Sequence, residues 1–430
     1  MNVSDIGPRI ARRAGLLIFL LALAARLATI AYFGGTTLRF GDARAYLSVA
    51  ESLARTGHYP RQTDYFSFRA PGYPIFLLAA TLGHPERIAA GKIANAVLGA
   101  LSALLLSALA ARIFHSRGVA IAAGLVGALD PGLVLMTADI QSEPLFILLI
   151  LAAAFLLLSA SDRPSSNLAV LSGLFLAFAA LTRPFALILA PLLAAPLGDR
   201  RYPLRARGHL AASAVLGFLL GLTPWTIRNA LVYRELVPVN DFAGINLYIG
   251  NSDLMDRFYR VRTRAEYDAW IKDLDRLTRD RFAELQESGE MSPARRTGAF
   301  VRMTLAERRA RPDRTLPLLF HKTWDWLRPY PSPLFWPPWV VWATGLLYGA
   351  LMLLAVIGGI ASPRRGVLFF TIAYLALTMA AHIAFLVVWR YRLACWNPAL
   401  ILYGVFGASL LLGQGSADRR AVPSDTTSRS

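Results

Sequence analysis

Long apolar runs separated by short charged pieces are the feature that most constrains this chain. They cover residues 14–33, 88–113, 119–135, 144–160, 168–181, 184–197, 210–227, 340–360, 367–389 and 398–412. A helix needs about 20 apolar residues to cross the hydrocarbon core of a bilayer, and most of these runs approach or exceed that length. Inside lipid every backbone N–H and C=O must be paired within the protein, which leaves only helices or closed barrels. The runs are too long and too continuous for barrel strands, which alternate apolar and polar residues over about ten positions. A chain that is 55% hydrophobic and only 17% charged agrees. The expected fold is therefore all-α and polytopic, with about ten transmembrane helices.

The charge pattern sets the expected topology. The net charge is +18, but it is not the footprint of a nucleic-acid binder. Much of it sits in short loops such as "GDRRYPLRARG" (198–208) and "SPRRG" (362–366), as the positive-inside rule describes. Residues 228–328 carry 19 Lys/Arg against 15 Asp/Glu, while the rest of the chain carries 26 against 12. "RIARR" (9–13) places the N-terminus inside. The first run is read as an uncleaved anchor rather than a signal peptide, because its apolar character continues past Arg26 to residue 33. Arg26, the only clear charge well inside a run on this reading, is expected to face the bundle or snorkel to a polar layer. Residues 70–83 are apolar but short, and read as an interfacial or re-entrant helix in the first outer loop.

Four regions follow. Residues 1–227 form a transmembrane module with outer loops at 34–87 and 136–143. Residues 228–338 form a small, mainly helical outer domain, with a helical stripe of Trp270, Leu274, Leu277, Phe282 and Leu285. Residues 339–414 hold the last spans, and 415–430 read as a disordered inner tail. Trp324, Trp326, Trp336, Trp339 and Trp342 read as an aromatic belt where the chain re-enters the bilayer.

Chemistry concentrates in the outer loops. "GDARAYLSVAESLARTG" (41–57) reads as an amphipathic helix with Asp42 at its N-cap and Gly57 as its stop. Capping alone accounts for an acid there, so from the residues alone a catalytic role stays open. "TADIQSEP" (137–144) places Asp139 and Glu143 four apart, on one side of a helical turn. On the same side lie Arg69, Arg183, Arg228, Arg390 and Arg392. Arginines in short outer loops run against the positive-inside trend. Phosphate binding at the membrane surface is one reason for them, and snorkelling to headgroups is another. A carboxylate to take a proton, with arginines to hold an anionic leaving group, suits sugar transfer from a lipid-linked phosphate. There is no P-loop or Gly-rich nucleotide motif. The six histidines lack metal-ligand spacing and the single cysteine, Cys395, forms no internal disulfide. No metal site is assigned; a divalent cation held by Asp42 with Asp139 or Glu143 is the one cofactor the acids allow.

Several stretches, in order, are similar to the GT-C glycosyltransferases related to dolichyl-phosphate-mannose protein mannosyltransferases. Bacterial lipid A aminoarabinose and lipopolysaccharide galacturonic acid transferases belong to the same broad group. The likeness is carried by "GDARAYLSVAESLARTGHY", "RAPGYPIFLLA", "LDPGLVLMTADIQSEPLF", "TPWTIRNALVYRELVPVNDFAGINLYIGNS" and "RYRLACWNPALILYG". It departs from the family at Ala43, where many members have a second acid, and at "LACWNP", where a proline usually follows the arginines sooner. The resemblance implies a GT-C fold in a bacterial inner membrane, with the active site facing the periplasm. It implies an inverting hexosyl or pentosyl transferase with a polyprenyl-phosphate sugar donor and a lipid, glycan or protein acceptor, and no nucleic-acid partner. Asp42 would be the catalytic base. Arg69, Asp139, Glu143 and Arg183 would line the substrates, and Arg390 and Arg392 would face the lipid phosphate. The rival reading, a transporter or flippase of a lipid-linked sugar, predicts inverted repeats and ionisable residues deep inside spans; the sequence shows no repeat, and Arg26 is the only clear charge well inside a span.

Overall fold

The computed structural model describes residues 3–413 except 40, 61–68, 290 and 291, with side chains from residue 12 onward. The expected inner tail lies outside the described residues. Those described fold into helices: α1 (Val3–Phe33), α2 (Gly41–Thr56), α3 (Gly72–Ala80), α4 (Ile88–Phe114), α5 (Arg117–Leu129), α6 (Pro131–Leu135), α7 (Glu143–Asp162) and α8 (Ser166–Thr182). A 3-10 helix (Pro184–Gly198) and α9 (Leu204–Tyr233) complete the first half. Then come α10 (Phe242–Asn251), α11 (Asp253–Phe258), α12 (Arg264–Glu287), α13 (Pro293–Ala310), α14 (Pro312–Leu327), α15 (Pro338–Ile360), α16 (Arg365–Ala384) and α17 (Trp389–Leu411).

Among the described residues, seven helices are long and apolar enough to cross a membrane, and eight if the bent pair α5–α6 counts as one. α8 and the 3-10 helix are apolar but shorter. The ten apolar runs are largely helical, but residues 385–388 break the run expected at 367–389, and only seven or eight helices have spanning length. The run expected at 119–135 is not one helix. It bends by 46° at Asp130–Pro131, where proline cannot donate and Asp130 accepts from Leu133 N to start α6. Asp130 and Lys92 are buried charges in the bundle that the sequence reading overlooked. Arg26 faces inward as expected: it is buried and donates to the carbonyls of Ala22 and Ala128, at 2.9 Å each.

Close helix contact needs small residues, because lipid gives helices little hydrophobic reason to associate. α8 and α9 meet at Gly173 and Gly217. A Cβ at Gly173 would sit 1.9 Å from Ala214 O, and one at Gly217 would sit 2.0 Å from Val170 O. The last span starts earlier than expected. α17 carries Pro398 inside it and places "RYR" (390–392) in its first turns.

α10–α14 pack around their own small core, with Ile245, Tyr248, Leu285, Phe300 and Leu318 buried. α12 has the expected stripe and opens on a capping box of Thr263 with Glu266. Lys322 on α14 fastens this helical cap to the end of α16, donating to Asn251 Oδ1 (2.9 Å), Ile383 O (3.0 Å) and Phe385 O (3.1 Å). Trp339 and Trp342 are exposed, as a belt requires, but Trp326 is fully buried and stacks on His382. Its ring joins cap to bundle instead of meeting lipid.

Candidate active site

Four elements bring the site together at the end of the bundle under the helical cap. α2 supplies Asp42, the loop before α3 supplies Arg69, the start of α7 supplies Glu143, and the start of α17 supplies Arg390. Arg183 follows the last residue of α8. Asp42 lies in the first turn of α2, and both its oxygens turn to arginines instead of capping the helix. Oδ1 accepts from Arg69 at 3.0 Å, and Oδ2 accepts from Arg390. The cap role read from the sequence is therefore replaced by an ionic clamp. Gly57 does stop the helix, with φ of +67°.

Arg390 also donates to Gln141 Oε1 at 2.7 Å and stands 3.4 Å from Glu143. Glu143 pairs with Arg183 at 2.9 Å and is 1% exposed. These are charge contacts only, because neither Glu143 oxygen lies in line with a hydrogen-bond donor. Arg183 lies over the Tyr391 ring and donates to Ser142 Oγ (3.2 Å), which also accepts from Tyr46 OH (3.0 Å). Asp42 has the most open side chain of the five, at 29%. Burial alone would raise its pKa, but the Arg390 and Arg69 guanidiniums hold it down at about 2. Among the described residues, the guanidiniums of Arg69, Arg183 and Arg390 meet the carboxylates of Asp42 and Glu143.

Two expected residues do not join this cluster. Asp139 is buried beneath it, accepting from Arg39 N and Ile140 N at 2.8 Å each. That pins the two outer loops together. Arg392 is fully buried on another side of α17, beside Tyr348 and Met352. Arg228 lies behind the site, donating to Tyr59 O at 2.8 Å, while Tyr59 OH reaches Arg69 O at 2.7 Å. The sequence reading missed Gln141, Ser142, Tyr46 and Asn95. Asn95 donates to Asp139 O, Gln141 O and Tyr73 OH, and so holds the 139–143 loop in place. Gln141 and Ser142, between the two acids, were the legible signal.

Comparison with known structures then decides the fold. The oligosaccharyltransferase AglB from Archaeoglobus fulgidus, in complex with an inhibitory peptide and a dolichol-phosphate, superposes with a TM-score of 0.57 at 12% identity. The alignment covers 93% of this chain and 50% of that one. The apo form of the Archaeoglobus fulgidus enzyme gives 0.59 at 13% identity, covering 94% and 51%. The fold is that of the GT-C glycosyltransferases. Residues 71–227 also match the family described as dolichyl-phosphate-mannose-protein mannosyltransferase. ArnT from Cupriavidus metallidurans, bound to undecaprenyl phosphate, reaches a TM-score of 0.44 at 14% identity, covering 92% and 77%. The chain spans about half the length of the two AglB structures. No curated protein matches it.

Proposed function

We propose that the chain is an inverting glycosyltransferase. It moves a hexosyl or pentosyl group from a polyprenyl-phosphate donor to a hydroxyl on lipid A or lipopolysaccharide, another polysaccharide or a protein. On this reading it is a multi-pass protein of a bacterial inner membrane, and the helical cap and site face the periplasm. Residues 1–227 and 339–414 hold the membrane module, and 228–338 roof the site. The supporting observation is the part-exposed Asp42 carboxylate held between Arg69 and Arg390.

The clamp suggests an order of events. A base held near pKa 2 takes a hydroxyl proton poorly. An arriving lipid phosphate competes for Arg390 and Arg69, since arginine forks suit phosphate as well as carboxylate. Asp42 loses its cations and becomes a stronger base where the acceptor hydroxyl arrives. The acceptor oxygen bonds to C1, its proton goes to Asp42, and the C1–O bond to phosphate breaks with the electron pair leaving on the phosphate. The arginines then hold the added negative charge. On this reading the Glu143 oxygens would accept hydrogen bonds from sugar hydroxyls once the donor enters.

Asp42 and Glu143 share Arg390, and among the described residues no group of three or more His, Cys, Asp or Glu gathers.

The test is transfer in proteoliposomes, with a panel of radiolabelled polyprenyl-phosphate sugars and membrane extract as acceptor. Label should move with the wild type and not with Asp42→Asn. Equal transfer by wild type, Asp42→Asn and Asp42→Ala, at equal expression, would remove Asp42 from the chemistry.

A further inference from the structure

A second feature lies at the far end of the bundle. α7 runs 20 residues from Glu143 in the site to Asp162. At about 1.5 Å per residue that is about 30 Å, the thickness of a bilayer's hydrocarbon core. A cavity of ≈ 800 Å³ follows this helix inside the membrane-spanning region. Its walls are apolar, with Leu151, Leu193, Phe370 and Leu402 among them, and Cys395 on α17 also lines it. Its far end meets Asp162, Asp199, Arg200, Arg201 and Arg364.

Those charges do not balance. Asp162 alone is shared by Arg112 (3.4 Å), Arg201 (3.3 Å) and Arg364. Asp199 pairs with Arg201 at 2.6 Å. Arg200 is exposed and has no ion pair among the described residues. Among the described residues, four arginines therefore face two aspartates. The positive-inside trend accounts for arginines on this side of the membrane, but not for their gathering at the mouth of an apolar cavity.

We infer that this cavity is a binding site for an anionic phospholipid from the leaflet opposite the helical cap. Its phosphate would sit among Arg200, Arg201 and Arg364, and its acyl chains would fill the apolar interior. The shape and the charge each contribute to the assignment. Basic pockets between spanning helices recognise anionic headgroups, and the chains bury apolar wall that water would otherwise meet. The donor does not satisfy this ring, because a donor whose phosphate lies at Arg390 cannot place the same phosphate at Arg364. The bound lipid would brace the ends of α4, α7 and α16, which meet at Asp162.

Native mass spectrometry of the purified full chain tests this, with phosphatidylglycerol, phosphatidylcholine and undecaprenyl phosphate offered separately and in competition. One phosphatidylglycerol per chain should survive detergent that strips phosphatidylcholine. Retention should fall about fivefold for each arginine removed, in Arg200→Gln and in Arg200→Gln with Arg364→Gln. Ala154→Trp, which fills the cavity from α7, should abolish it. Arg200→Gln breaks no pair, so it keeps the test valid if Arg364→Gln fails to fold. Equal retention of phosphatidylcholine, retention unchanged in Arg200→Gln, or displacement of phosphatidylglycerol by equimolar undecaprenyl phosphate would overturn the inference.

Discussion

Asp42 has two oxygens and two cationic partners, and that geometry sets what its replacement should do. Asp42→Asn keeps the shape and removes the proposed base and its charge. Transfer should fall by about a hundredfold or more, within the range for loss of a general base, while donor binding persists. Radiometric transfer and a donor pull-down separate the two. Arg390→Lys keeps one charge but loses the fork that reaches Asp42 and Gln141 together, so the donor KM should rise about tenfold or more in the same assay. The clamp also links stability to pH. The folded pKa of Asp42 is depressed to about 2, below about 3.9 for a free aspartate. The stability it supplies is full above about pH 4 and is lost as pH falls toward 2. Asp42→Asn should flatten that acid limb in thermal unfolding of the detergent-solubilised protein.

Helices explain both what was legible and what was not. Asp42, Arg69, Glu143, Arg183 and Arg390 stand out in the sequence because charges beside apolar runs are costly without a reason. Arg392 misleads for a geometric cause. Read as loop, "RYR" offers both arginines to one ligand. As the first turns of α17, residues two apart point to different sides. Only Arg390 meets Asp42, and Arg392 is buried near Tyr348. Asp130 escaped notice because a hydropathy window averages one acid away, although the following proline marks the bend. Trp326 was grouped with a belt by composition, but only tertiary packing tells a tryptophan that meets lipid from one that joins two bodies. The α8–α9 contact gives a test at this scale. Gly217→Leu should lower thermal stability and yield, because its side chain would meet the Val170 backbone. Gly208→Ala on the same helix meets no neighbouring atom and should be neutral or slightly stabilising. Detergent thermal shifts compare the two.

For the molecule as a whole, the proposed orientation puts the helical cap and the Asp162 ring on opposite sides of the membrane. Cys395 is buried, so a Cys395→Ser background removes the one native thiol. Glu287→Cys on the cap should then react with a membrane-impermeant maleimide in intact spheroplasts, and Arg200→Cys only after lysis. The reverse pattern would turn the protein over and move the proposed acceptor to the other side.

The Asp42–Arg390 pair joins residues 348 positions apart, and this has a consequence in time. A ribosome adds about 5–20 residues per second, so roughly 20–70 s pass between synthesis of the acid and synthesis of its clamp. Through that interval the nascent chain carries Asp42 without Arg390, and the site closes only when the final helix enters the membrane. A chain released early, or stalled before α17, would hold the first outer loop and the family-matched segment yet lack the arginine that ties them into a site.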